Sequence, residues 1–223
     1  MLQGIDVEPN KLKQTTSCQL PIIYNDNWIV AVNKPSGLLS VPGKESTDSV
    51  ISRLSTMMPD TKLLAVHRLD MSTSGVLLVA KDERIYKALQ RQFSSHTVSK
   101  RYVALLSGNL AASEGEIKLP LRADTTDRPR QMVDFEHGRQ AITHFKVVGK
   151  SGNGYTRVVF YPTTGRTHQL RVHAAHKLGL GCPIVGDNLY GQVADRLYLH
   201  SEYLQFTHPI TGQIVAIEQK CDF

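Results

Sequence analysis

Two short aliphatic runs, Leu63 to Val66 and Val76 to Val79, read as strands, so the nine residues between them form a connection at a sheet edge. That connection is His67-Arg68-Leu69-Asp70-Met71-Ser72-Thr73-Ser74-Gly75. Ser72, Thr73 and Ser74 can bond their own backbone, and Gly75 is free to take positive φ, which predicts a rigid loop. A rigid loop holds one carboxylate, Asp70, in a fixed place. Arg68 beside it is a permanent positive charge that favours a neighbouring carboxylate in its ionised form. A lone acid so placed suits a nucleophile or an electrostatic stabiliser; otherwise an Asp in a turn serves only to satisfy backbone donors.

Around this stretch the chain alternates strands with a few helices. Ile22-Ile23-Tyr24 and Trp28 to Val32 read as strands across the turn Asn25-Asp26-Asn27. Lys34-Pro35-Ser36-Gly37 and Val41-Pro42-Gly43-Lys44 bracket Leu38-Leu39-Ser40 in a loop of fixed shape. Asp48 is expected to cap a helix with Val50, Ile51, Leu54, Met57 and Met58 on its apolar face, both methionines in the core and Pro59 at its end. Asp82 opens a second helix on Ile85, Leu89 and Phe93, leaving Arg84, Lys87 and Arg91 on other faces. From Lys100 onward strands are predicted over Tyr102 to Leu106, up to Ile117–Leu121, Gln131 to Phe135, Ala141 to Val148 and Tyr155 to Tyr161. Ser151-Gly152-Asn153-Gly154 reads as a hairpin turn, and Asp124 to Arg130, with Arg128 and Arg130, as an exposed basic loop. Thr164-Gly165-Arg166-Thr167 precedes a third helix, expected to reach about Leu178 and stop at Gly179. The pattern predicts a polar arm over residues 1–20 and one α+β unit over 21–223, a mixed, largely antiparallel sheet with flanking helices.

Composition narrows the classes. In 223 residues, 41% hydrophobic content supports a sizeable core, and a net charge of +6 leans towards a polyanionic partner. Three scattered cysteines, Cys18, Cys182 and Cys221, provide neither a disulfide framework nor a thiolate zinc site and point to a reducing compartment. The first twenty residues hold Asp6, Glu8, Lys11 and Lys13 with no apolar run, and no later stretch is long enough to span a membrane. A soluble cytoplasmic protein is expected. His168, His173 and His176, with His200 and His208, suggest a metal, but no HExxH pattern or nearby acid accompanies them; histidines satisfied by structural hydrogen bonds are expected instead. No serine lies in a Gly-x-Ser-x-Gly elbow, and Asp70 has no second acid in its loop as an ordinary glycosidase would.

Four segments in order, Val32-Asn33-Lys34-Pro35-Ser36-Gly37-Leu38, the Asp70 loop, Lys100-Arg101-Tyr102-Val103-Ala104 and Gly165-Arg166-Thr167-His168-Gln169-Leu170-Arg171-Val172-His173, resemble the motifs of the RluA-type pseudouridine synthases. The resemblance runs from about Ile22 to Pro209. It implies a catalytic domain with a central cleft, no cofactor, no metal and an RNA substrate from which a uridine is flipped. Asp70 then carries the reaction, by attacking the sugar, assisting elimination across it or adding to the uracil ring, and the residues leave all three open. Tyr102 is expected to stack on the flipped base, and Arg171 to pair with Asp70 through its guanidinium fork. Arg68 would fill the gap left in the RNA, while Arg128, Arg130 and Arg166 contact phosphate and His67 shapes the loop at the RNA-binding edge. Arg128-Pro129-Arg130-Gln131 and the short chain further resemble the branch acting on both 23S ribosomal RNA and tRNA anticodon stem-loops, expected as a monomer. A single-target synthase, a catalytically silent RNA-binding module and a nucleoside hydrolase are the alternatives.

Overall fold

A computed structural model describes residues 20–150 and 154–223, so nearly all of the polar arm and most of the Ser151–Gly154 turn lie outside the described residues. Strands β1 (Ile22–Asn25), β2 (Ile29–Lys34), β3 (Leu64–Ala65), β4 (Ser74–Ala80), β5 (Ser99–Ser107), β6 (Glu114–Lys118), β7 (Leu121–Ala123), β8 (Gln131–Val133), β9 (Ile142–Lys150), β10 (Tyr155–Pro162), β11 (Leu199–Thr207) and β12 (Ile214–Glu218) alternate with helices α1 (Val50–Met57), α2 (Glu83–Ser94) and α3 (Gln169–Ala175). A ten-stranded sheet runs β1-β2-β4-β11-β5-β10-β9-β6, with β12 beside β11 and β3 beside β4; β7 and β8 form a separate ribbon. Among the described residues only β4 and β11 pair in parallel, which makes the sheet mixed and largely antiparallel as expected.

Binary alternation explains the layers. In β2 and β4, Val30, Val32, Leu77 and Val79 point into one cluster with Val50 and Leu54 of α1. Ile29, Ala31, Val76, Leu78 and Ala80 point the other way, onto Ile85 and Leu89 of α2. A strand apolar on both faces must be covered twice, and these two are. The other half of the sheet carries α3, whose Leu170 and Ala174 pack on Ala104, Leu106, Val158 and Phe160. Leu20, the first described residue, is buried in the α1 cluster.

Several local expectations are corrected. Ser49, not Asp48, caps α1: its hydroxyl accepts from the Ser52 amide while the Ser52 hydroxyl accepts from the Ser49 amide. Asp48 instead forms a two-bonded ion pair with Arg53. Met57 is exposed rather than core, and Met58 packs at the cluster's edge. Asp82 does cap α2, accepting from the Ile85 amide. The segment expected to end at Leu121 is broken between β6 and β7 by Leu119-Pro120. Helix α3 stops at Ala175, short of Leu178, because the chain turns back: the amide of Leu180 donates to the His173 carbonyl and that of Cys182 to Ala174. Gly179 lies in that turn, where a Cβ would stand 2.1 Å from the His173 carbonyl oxygen.

Candidate active site

The loop bearing Asp70 is shorter than the sequence pattern suggests, because Ser74 and Gly75 already belong to β4. Its rigidity comes from elsewhere too. The segment after β2 grips it residue by residue: the Ser40 hydroxyl donates to the Leu69 carbonyl and accepts from the Leu69 amide, the Gly37 amide donates to Met71, and the Ser36 hydroxyl donates to Ser72. Within the loop the Thr73 amide donates to the Asp70 carbonyl. Beneath it lies Lys34, with no exposed surface. Its ammonium donates to the carbonyls of Leu38 at 2.7 Å, Met71 at 2.9 Å and Pro35 at 3.0 Å. Burial pushes the Lys34 pKa down to about 7, and the Asp70 charge pulls it back up. Three acceptors for three N–H donors match the charged form.

One row of paired residues crosses the sheet here. Lys34 of β2 stands opposite Gly75 of β4, Gly75 opposite Ser201 of β11, and Ser201 opposite Tyr102 of β5. Gly75 has φ +112°, and a Cβ there would stand 2.2 Å from the Ser201 carbonyl oxygen, so β4 and β11 meet this closely only around glycine. The register brings Tyr102 beside the loop that enters β4. Burial raises the Tyr102 hydroxyl to about 12, its Ser201 hydrogen bond pulling the other way and the Asp70 charge adding to the rise. The ring is therefore a neutral phenol at any physiological pH.

Arg171 reaches Asp70 from α3, but its fork is committed to a different acid. Nε donates to Asp187 Oδ2 at 2.8 Å and Nη2 to Asp187 Oδ1 at 2.6 Å, while Nη1 stands 3.7 Å from Asp70 Oδ2. Burial works against the Arg171 charge, yet the Asp187 hydrogen bonds and charge hold its pKa above the ordinary arginine value. Asp187 is fully buried and also accepts from the amides of Leu189 and Tyr190. The surface ion pair that Arg171 could otherwise have made is not what the fold builds; the guanidinium is a fixed, buried cation aimed at Asp70. His168 closes the group, with Nε2 3.9 Å from Asp70 Oδ2 and Nδ1 2.8 Å from the Tyr190 hydroxyl. Its backbone is left-handed, φ 52°, a conformation that costs a non-glycine residue roughly 1 to 2 kcal/mol and persists where the surroundings fix it.

A single carboxylate, partly open to solvent, thus faces a cation and an imidazole and lies beside a tyrosine, on a loop that cannot drift. Residues 28–176 match the family described as RNA pseudouridylate synthase. This chain belongs to that family. Curated relatives agree: the dual-specificity RNA pseudouridine synthase RluA of Haemophilus influenzae and that of Escherichia coli are each 44% identical over 211 residues, covering 92% of this chain and 94% of theirs. The Vibrio cholerae protein of the same name is 46% identical, covering 92% of this chain and 84% of its own. Among solved structures, human RNA pseudouridylate synthase domain containing 1 superposes with a TM-score of 0.78 at 29% identity, covering 97% of this chain and 87% of that one. The protein is a pseudouridine synthase, an isomerase acting on RNA.

The remaining expected residues of this synthase fall into two groups. Arg68 is exposed and makes no ion pair with Asp70; the acid's charge is felt instead by Arg171, 3.7 Å away, and by the buried Lys34. Arg128 is exposed at the tip of the basic loop, where Arg130 pairs with Asp127. Arg166 donates to the Gln140 carbonyl and lies close enough to Arg139 for the two charges to oppose each other, a pair of neighbouring cations on the ribbon side. His67, by contrast, turns inward. Its Nε2 accepts from the Leu78 amide and its ring stacks on Phe93 at 4.9 Å, and burial pushes its pKa down to about 3, with Lys100 adding to the drop. It shapes the loop from below and presents no ring nitrogen to a ligand through that edge.

The histidines that suggested a metal have structural partners. His173 lies between Thr143 Oγ1 and the Leu119 carbonyl, His200 between Ser74 Oγ and the Gln219 carbonyl, and His208 bonds Asp26. Sequence reasoning passed over Lys34, Asp187, His168 and Tyr190 as site residues. Tyr190 is the most consequential of these, since its ring lies under both Arg130 and Arg171 and so joins the basic loop to the acid. Lys34 and His168 lie inside recognised motifs and were within reach; Asp187 and Tyr190 lie far along the chain and had only the turn-forming Gly186 to mark them.

Proposed function

We propose that this synthase isomerises particular uridines both in 23S ribosomal RNA and in tRNA anticodon stem-loops, with Asp70 as its catalytic carboxylate. What supports the pairing of targets is the nearly end-to-end match to relatives named for dual specificity. In the reaction the bond from N1 of uracil to C1′ of ribose breaks, the ring turns, and C5 bonds to C1′; C5 gives up a proton and N1 receives one. No water enters. Attack on C1′, elimination across the sugar and addition to the ring each need one oxygen of a fixed carboxylate, and the Asp70 loop fixes one. Arg171 and Lys34 supply positive charge on the protein side of that carboxylate, and Tyr102 offers a flat, neutral face for the uracil. Arg68, exposed two residues before Asp70, fills the space the uridine leaves in the stem. Arg128, Arg130 and Arg166 hold phosphate, which positions the RNA without reading its sequence. We place the enzyme in the cytoplasm, in keeping with its three scattered cysteines, and as a monomer.

Incubating the purified protein with tRNA and with 23S ribosomal RNA, both lacking pseudouridine, and mapping the product nucleotides tests the pairing. New pseudouridines in both classes are expected. Modification confined to one class would make this a single-target synthase.

A further inference from the structure

The Tyr190 hydroxyl has two partners among the described residues, and they determine where its proton goes. It accepts from the Gln131 amide at 2.7 Å and stands 2.8 Å from His168 Nδ1. If Nδ1 carried a proton and donated it, the phenol proton would have no acceptor among the described residues. With the phenol donating to Nδ1, a neutral His168 carries its proton on Nε2, the nitrogen facing Asp70 Oδ2. Arg171 Nη1 faces the same oxygen. Separations of 3.9 and 3.7 Å exceed a direct hydrogen bond, and a movement of about 1 Å by the carboxylate closes both, as catalytic hydrogen bonds commonly do when substrate binds.

We propose that His168 is a positioning residue of the isomerisation: its Nε2–H, with Arg171, holds Asp70 Oδ2 so that Oδ1 meets the nucleoside, and Tyr190 selects the tautomer that makes this possible. The proposal rests on Asp70 being the catalytic carboxylate. The groups facing the imidazole are Asp70 from its loop, Arg171 from α3, and Asp187 and Tyr190 from the segment after α3. Burial pushes His168 below the ordinary histidine range, against the pull of Asp70, so the neutral form and its tautomer matter at working pH. The left-handed backbone at His168 is the second sign that this side chain is held for a purpose.

The test is the kinetics of tritium release from 5-tritiated uridine in a tRNA stem-loop, measured between about pH 5 and pH 8.5 to span the imidazole's range. Asp70→Asn, His168→Ala, His168→Gln, Tyr190→Phe and the double variant His168→Gln/Tyr190→Phe are compared with wild type. His168→Ala should lower kcat by on the order of 10- to 100-fold, as expected of a misplaced reacting group, with KM nearly unchanged. His168→Gln, whose side-chain amide can still donate, should recover most of that loss. Tyr190→Phe should be impaired at high pH and recover as pH falls, because a protonated imidazole carries a proton on both nitrogens. No such recovery should appear in the double variant, since an amide does not titrate. Wild-type kcat in His168→Ala beside an inactive Asp70→Asn would overturn the proposal, as would a Tyr190→Phe defect independent of pH. An active Asp70→Asn would overturn the reading beneath it instead.

Discussion

Lys34 shows how one side chain can secure a loop it does not belong to. A buried ammonium with three carbonyl acceptors ties β2 to Leu38 and to Met71, next to Asp70. Replacing it with methionine keeps the volume and removes all three bonds; Met71 keeps the Gly37 amide, but the buried Leu38 carbonyl is left unpaired, at a cost of about 1 to 3 kcal/mol. Lys34→Met should therefore lose about 1 to 3 kcal/mol in denaturant unfolding and should lower turnover by freeing the Asp70 loop. Unchanged stability would mean that the carbonyls find other partners. Arg68 makes the opposite prediction: exposed and unpaired among the described residues, it should tolerate alanine without loss of stability. Arg68→Ala should slow modification of a folded stem-loop much more than that of an unstructured oligonucleotide, because only the former pays to unstack its base. Equal effects on the two RNAs would remove Arg68 from the flipping step. Asp70, Tyr102 and Arg171, which the fold places close to one another, could be picked out as candidates because each lies in a recognisable motif. Asp187 was not, because a buried partner for Arg171 depends on which turn folds back over α3, and no local pattern fixes that.

Elements were legible where periodicity is strong and blurred where tertiary contacts set the ends. Asp82 capped α2 as expected, whereas at α1 the cap is Ser49 and not the expected Asp48. Ser49 forms a capping box, and Asp48 is left to Arg53 at the surface. Ser49→Ala should thus cost about 1 kcal/mol of stability. Asp48→Ala should have a clearly smaller effect in the same denaturation series, and the reverse order would contradict this cap. Helix α3 stops short of the expected Leu178 because the chain turns back on it, and its polar residues are locked to other elements. Gln169 bonds Thr143, Thr164 and the Ile142 carbonyl, and His173 bonds Thr143. Those contacts hold Arg171, two residues from each of them, at its station beside Asp70.

At the scale of the molecule, the mixed sheet explains why the site lies where it does. The row Lys34–Gly75–Ser201–Tyr102 joins β2, β4, β11 and β5, and the Asp70 loop enters β4 just before Gly75 of that row. Strand identity and the single α+β unit could be read from the sequence, but the parallel β4–β11 pairing spans more than a hundred residues and could not. Two buried histidines also give the whole fold a pH dependence. Burial holds His67 at about 3 and His173 at about 4 in the folded protein, below the ordinary 6.5. Between about pH 6.5 and pH 4 the unfolded chain then binds more protons than the folded one, so stability falls as pH falls, by up to about 1.4 kcal/mol per pH unit for each group. The melting temperature should drop across that window, and His173→Gln should melt with a shallower pH slope; an unchanged slope would remove His173 from the account.

The central claim is that one carboxylate on a clamped loop carries the isomerisation. Its most direct measurement is single-turnover tritium release from 5-tritiated uridine in RNA, with RNA binding followed in parallel, for wild type and Asp70→Asn. The account predicts full binding by both and release by Asp70→Asn that is slower by a factor on the order of 10³ or more, the usual loss when a member of a catalytic unit is removed. Release by Asp70→Asn within a few-fold of wild type would contradict it.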